Sequence, residues 1–212
     1  NVVIGRKLFK ILSRLDHLNF IGLGSFAEYG NYEIPIRESF LENPTSLYGV
    51  SKKRFKDFSK LQCMKNKFNW LWIRPCFIYG PGDRDTRFIP RIISSCITQD
   101  NEQRFNSCDS IIDYLYIEDF LNAIKVLLDG NYQGVFNICS GKQYKSKYVI
   151  NRIKNMCNSE TNFVFDKTMD DENSYKYICG DNSKLIKKTG WKVQNTLNSG
   201  LIKTIESIRN EK

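Results

Sequence analysis

Residues 18–30 read LNFIGLGSFAEYG, and residues 44–52 read PTSLYGVSK. The first stretch is apolar from Leu18 to Leu23 and breaks at Gly24-Ser25. A short apolar run closed by glycine predicts a buried strand, since a helix would want about ten or more periodic positions. The second stretch opens a pattern, rich in lysine and phenylalanine, that predicts a helix from Tyr48 to about Lys67. Residues 31–47, with Pro35 and Pro44 among scattered polar residues, predict the loop between them. Strand, turn, loop and helix in this order set the frame for everything around them.

Upstream, GRKLFKILSRLD (5–16) places apolar residues at helical spacing. Downstream, NWLWI (69–73) predicts a second buried strand, ended by Arg74-Pro75 and the turn-rich YGPGDRD. A helix follows over 88–98, with Pro90 tolerated in its first turn. IDYLYI (112–117) predicts a strand, and Glu118-Asp119 open a helix to Leu128, the acids facing its positive end. GVFNIC then predicts a strand, 146–157 a helix, 161–165 a strand, 182–189 a helix closed by Gly190, and about 198–210 a last helix. Strands alternating with helices predict an α/β fold with a mainly parallel sheet. A doubly wound dinucleotide fold opens on a strand, a glycine-rich turn and a helix. No G-x-G-x-x-G or G-x-x-G-x-x-G occurs in this chain, which begins in a helix.

The chain has 212 residues, 41% of them hydrophobic, enough for a packed core. The net charge of +9 comes from basic residues that form no long block, so it reads as surface charge, and no nucleic-acid partner is expected. No apolar run reaches the roughly 18 residues of a membrane helix, so no membrane partner is expected. No leader peptide is visible, and the first residue is Asn1, so the gene product is expected to begin upstream. Seven cysteines at 63, 76, 96, 108, 139, 157 and 179 include no C-x-x-C pair. They predict free thiols in a reducing cytoplasm. With His17 as the lone histidine, no metal is expected, and His17 itself reads as structural or solvent-facing. Phe55, Phe58 and Phe68 are expected to pack a helix face.

Tyr48 and Lys52 lie four apart on one helix face. A phenol with a pKa of about 10 is a poor base at neutral pH. An ammonium beside it favours the phenolate. Such a tyrosine can exchange a proton with an alcohol while a nicotinamide cofactor exchanges hydride. Ser25, at the end of a predicted strand, stands where parallel sheets bind ligands and could hold the reacting oxygen.

Tyr-x-x-x-Lys alone arises easily by chance, so the neighbouring motifs decide. GSFAEYG (24–30), Pro44 with YGVSK (48–52), Arg74-Pro75 with YGPG (79–82), and DYLYIED (113–119) occur in order. Asp181, Lys184, Gly190-Trp191 and Gly200-Leu201 close the series. Together they resemble the extended short-chain dehydrogenase/reductase family, whose members include nucleotide-sugar epimerases, dehydratases and reductases. The resemblance covers essentially the whole chain. It implies the C-terminal part of a Rossmann-like parallel sheet with a small α/β substrate-binding lobe. Residues 1–80, with 113–140 returning to them, would form the catalytic domain, and 81–112 and 141–212 mainly the lobe. About 90 residues of glycine-rich half-fold would stand upstream.

The resemblance also implies roles. Ser25, Tyr48 and Lys52 would be catalytic, with Tyr48 and Lys52 also on the nicotinamide ribose. Pro75, Cys76 and Ile78 would line the pocket of NAD or NADP. Ala27, Phe77, Arg87 and Arg91 would face a nucleotide-sugar substrate. Relatives dimerise through two long helices, here the one ending near Arg14 and the one carrying Tyr48, so a homodimer is expected. Departures narrow this reading. The dehydratases' Asp and Glu fall on Phe26 and Ala27, which cannot exchange a proton, and Glu28, one residue too late, reads as a solvated or loop-bonded carboxylate. The family's phosphate- and sugar-gripping Asn and Arg residues fall on Phe77, Ile112 and Asp171. Losing an arginine fork removes geometry as well as charge. Arg84, Arg87, Arg91 and Lys176 are candidates to replace it. The expected activity is an NAD(P)-dependent sugar-nucleotide epimerase or 4-ketosugar-nucleotide reductase. The alternative is a family member without catalysis that serves as an interaction scaffold.

Overall fold

A computed structural model describes residues 2–170 and 176–211. The elements in chain order begin with α1 (Val2–Leu12), β1 (Asn19–Leu23), α2 (Leu47–Asn66), β2 (Asn69–Pro75), β3 (Phe77–Tyr79) and α3 (Phe88–Thr98). Then come β4 (Glu102–Phe105), β5 (Ile111–Ile112), β6 (Tyr114–Tyr116), α4 (Ile117–Asp129), β7 (Gly134–Ile138) and β8 (Tyr144–Lys145). The chain closes with α5 (Ser146–Cys157), β9 (Asn162–Phe165), β10 (Tyr177–Ile178), α6 (Ser183–Thr189) and α7 (Leu197–Glu211).

The main sheet is parallel in the order β1-β2-β7, with Ile21 opposite Leu71 and Leu71 opposite Gly134. β2 is central and almost continuously buried, as a parallel strand covered on both faces should be. Phe20, Trp70 and Trp72 point to the side of α1 and α2, where Phe9, Cys63 and Phe68 complete a cluster. Phe55 and Phe58 pack against this cluster, as expected of a helix face. Leu71, Ile73, Phe136 and Ile138 point the other way, onto Phe120, Ala123 and Leu127 of α4. A third and larger apolar cluster joins α3, α5 and α7. β4 pairs with β9 and β3 with β6, both parallel, while β5 lies between β10 and β8.

The predicted strand over 112–117 is two strands, broken at Asp113. The physical reason is the fully buried Asp113 side chain. Its carboxylate accepts from Ser140 N at 2.9 Å, Ser140 Oγ at 2.6 Å and Gly141 N at 2.8 Å. β5 and β6 on either side of it pair with different sheets. β3, β4, β8 and β10 were not expected from the sequence. They span two to four residues, too short for a period to emerge.

Candidate active site

The C-terminal ends of β1 and β2 open onto a cleft of about 550 Å³. Its lining includes Ser25, Ala27, Tyr48, Pro75, Cys76, Phe77, Ile78 and Arg87. These residues come from four separate stretches of chain, and the parallel sheet brings their ends to one rim. Clefts at the carboxyl ends of parallel strands are where such sheets bind ligands.

Ser25 follows β1 in extended conformation and caps a single 3₁₀ turn, Phe26–Glu28. Its Oγ accepts from Ala27 N at 3.1 Å. A hydroxyl that accepts in this way keeps its own proton free to donate elsewhere. Tyr48 lies in the first turn of α2, capped by Ser46 Oγ accepting from Gly49 N at 3.1 Å. Gly49 is required by close approach, because a Cβ there would stand 2.2 Å from Ala27 O. The glycine lets the start of α2 press against the Ser25 turn and so brings Tyr48 to the same rim.

Lys52 stands one helical turn further on. Its Nζ donates to Leu23 O at 2.7 Å and lies 5.7 Å from the centre of the Tyr48 ring. Burial pushes the pKa of Lys52 down, and the negative charge of Glu28 opposes that shift. Tyr48 is half-exposed, open to a ligand in the cleft.

Arg87 stands at the cleft edge with its guanidinium carbon 5.7 Å from the Phe77 ring centre and its Nε 3.4 Å from Asp83. Arg91 is turned elsewhere. It donates to Gln103 Oε1 at 3.1 Å, and its guanidinium carbon stacks 4.7 Å from the Phe105 ring centre. Ile112 is buried in the core. Arg84 and Lys176 are exposed and absent from the cleft lining, His17 is exposed, and Asp171 lies outside the described residues. The seven cysteines form no disulfide.

Arg74 and Asp119, both fully buried, take bonding roles that were not assigned from sequence, and Glu28 departs in part from its reading. Glu28 is loop-bonded as expected, but it is fully buried rather than solvated. Arg74, also fully buried, donates from Nε to Glu28 Oε2 at 2.8 Å and pairs through Nη2 with Glu42. Asp119 accepts from Gln194 N at 2.9 Å and Asn195 N at 3.0 Å, holding the turn that precedes α7. The sequence signals were the acid beside Tyr29, the arginine of Arg74-Pro75 and the second acid of Glu118-Asp119.

Comparison with known proteins gives the family and the fold. Residues 1–139 match the model of the NAD dependent epimerase/dehydratase family. A GDP-6-deoxy-D-mannose reductase of Pseudomonas aeruginosa is 26% identical over 193 residues, covering 86% of this chain and 63% of the relative. A dTDP-4-dehydro-6-deoxyglucose reductase of Escherichia coli is 25% identical over 185 residues, covering 85% of this chain and 58% of that one. Among solved structures, RMD from Pseudomonas aeruginosa complexed with NADPH superposes with a TM-score of 0.84 at 23% identity, over 92% of this chain and 67% of that one. A Bacillus cereus UDP-glucuronic acid 4-epimerase mutant complexed with NAD gives 0.89 at 20% identity, over 100% of this chain and 68% of that one.

The parallel sheet and these matches place the chain on a Rossmann-like fold, and the relatives named are nucleotide-sugar enzymes. This chain belongs to the NAD dependent epimerase/dehydratase family. It spans under two thirds of the length of the two curated reductases. Among the described residues, no helix is long and apolar enough to cross a membrane.

Proposed function

We propose that this chain carries the reacting groups of an NAD(P)-dependent enzyme that oxidises or reduces a sugar carbinol in a nucleotide sugar, as a 4-ketosugar reductase or a 4-epimerase. The observation that carries the reading is that Ser25 and Tyr48 line one cleft, with the Lys52 ammonium beside the Tyr48 ring. Tyr48 would give or take the proton of the sugar hydroxyl. Lys52 would stabilise the phenolate as it forms. The Ser25 hydroxyl would donate to the reacting oxygen.

A nicotinamide fits the cleft wall of Pro75, Cys76 and Ile78, which presents apolar surface to a planar ring. Tyr48 and Lys52 would meet its ribose. When bound, the cofactor supplies or accepts the hydride. Phe26 and Ala27 offer no carboxyl near Ser25, which disfavours a dehydratase that needs one there. Residues 1–80 with 113–140 are read as the catalytic half, and 81–112 with 141–212 as the substrate lobe. Phe77 and Ile112 give the substrate's phosphates no polar hold, and this one feature favours the second reading, a scaffold without catalysis.

A homodimer is part of the proposal. Ile4, Leu8 and Ile11 leave an exposed apolar stripe on α1, with Leu61 and Met64 exposed on α2. A monomer by sedimentation would remove that part. The main test uses the natural gene product that carries residues 1–212. Consumption of NADPH with a 4-keto-6-deoxy nucleotide sugar marks a reductase, and interconversion of 4-epimers without net cofactor turnover marks an epimerase. Tyr48→Phe is expected to lower kcat by roughly 10²–10⁴-fold. Full activity in Tyr48→Phe would sink the mechanism.

A further inference from the structure

Behind the cleft runs a buried chain of charges that proton transfer at Tyr48 does not use. Ser25 N donates to Glu28 Oε1 at 2.9 Å. Trp72 Nε1 donates to the same carboxylate, 3.1 Å from Oε1 and 3.2 Å from Oε2. Arg74 Nε donates to Glu28 Oε2 at 2.8 Å, and Arg74 Nη2 pairs with Glu42. Glu42 in turn pairs with Lys56 Nζ, one turn beyond Lys52 on α2, and its backbone oxygen accepts from Lys53 Nζ at 2.8 Å. The Tyr29 ring covers the Arg74 guanidinium, 4.3 Å away, and Tyr29 Oη donates to Asn137 Oδ1 at 2.8 Å.

Burying such a chain is costly, and a well-packed apolar replacement is often as stable. Packing alone therefore does not explain it. Its geometry does something packing cannot: it joins the Ser25 turn, β2, the loop at Glu42 and the Tyr48 helix through directional bonds.

We propose that Glu28 is a positioning residue, which anchors the backbone of Ser25 and so holds that serine against the Tyr48–Lys52 face of α2. The proposal rests on the reading that Ser25, Tyr48 and Lys52 meet the substrate. Glu28 itself touches no substrate. A shift of about 1 Å at a catalytic group can cost on the order of 10²-fold in rate.

The test compares two double variants of the natural gene product. Glu28→Met with Arg74→Met removes both charges together, so the chain is expected to fold, but Ser25 N loses its acceptor. Glu28→Gln with Arg74→Met is neutral as well, yet the amide oxygen can accept from Ser25 N. The Met/Met form is expected to lose roughly 10²-fold in kcat with KM changed little. The Gln/Met form is expected to regain most of that. A purely structural role would leave the two forms alike, and equal kcat values in two folded variants would overturn the proposal.

Amide exchange gives a readout free of activity. Protection of the Ser25 amide should fall in Met/Met and return in Gln/Met, while β2 stays protected. Unchanged protection at Ser25 in Met/Met overturns the anchoring even if the enzyme reading fails. Failure of the enzyme reading shows separately, as a wild-type protein without turnover or an active Tyr48→Phe.

Discussion

Glu28 and Asp113 both lack exposed surface, and the protein holds them by opposite means. Glu28 faces the guanidinium of Arg74 and the indole of Trp72. Burial works against the charge of Arg74, but Tyr29, Glu28 and Glu42 around it more than offset this and raise its pKa. Asp113 has neutral partners, the Ser140 hydroxyl and the backbone amides of Ser140, Gly141 and Gly180. Burial outweighs those bonds and pushes the Asp113 carboxyl up to about 6. Neutral dipoles alone leave a buried acid such as Asp113 within reach of a proton. The first arrangement stands behind the cleft and couples elements; the second pins loops where two strands part.

The largest effect should come from breaking the charged arrangement on one side only. Arg74→Met leaves the buried Glu28 without its ion-pair partner, while Glu42 keeps Lys56, and a loss of about 3–5 kcal/mol is expected from urea unfolding. A loss under about 1 kcal/mol would mean that the chain of charges is not coupled as the distances imply.

Asp113 should show itself through pH. Its folded pKa of about 6 lies above the ordinary 3.8, so folding favours the protonated form. The stability this contributes is complete below pH of about 4 and is lost as pH rises through about 6, on the order of 2–3 kcal/mol. The stability of wild type relative to Asp113→Asn should therefore fall between those limits. A difference independent of pH would remove the contrast between the two acids.

Gly49→Ala sharpens the comparison at the cleft itself, because the added Cβ meets a backbone oxygen rather than a flexible side chain. A cost of roughly 1–3 kcal/mol is expected by thermal unfolding. The smallest effect belongs to an exposed ion pair. Arg37 Nε lies 2.7 Å from Asp181, but the Arg37 side chain is 67% exposed. Arg37→Ala should cost no more than about 1 kcal/mol, screened further by salt.

Much of the fold could be read locally. The expected helices over 88–98, 146–157 and 182–189 and the strands over 18–23 and 69–73 match α3, α5, α6, β1 and β2 to within two residues. Their period, glycine stops and apolar runs are carried within each segment. The places of Ser25 after β1 and of Tyr48 at the start of α2 were legible because a strand-end serine and a Tyr-x-x-x-Lys helix are short-range patterns. The partners of Glu28 were not legible, since Trp72 and Arg74 stand 44 and 46 positions away. No spacing rule links such residues until β1 and β2 pair. The break at Asp113 was hidden for a similar reason, because its partners arrive from 140–141 and 180.

The sequence by itself determined the alternation of strands and helices, the parallel sheet, the family and the candidate reacting groups. The alternation rests on composition and spacing within a few turns of chain, and the family and its reacting groups rest on motifs that resemble the family's own, in order along the chain. Only the tertiary structure decided that Arg87 reaches the cleft while Arg91 turns to Phe105, and that Glu28 is sealed beneath Ser25. Burial and long-range pairing set those outcomes, and neither exists until distant segments meet.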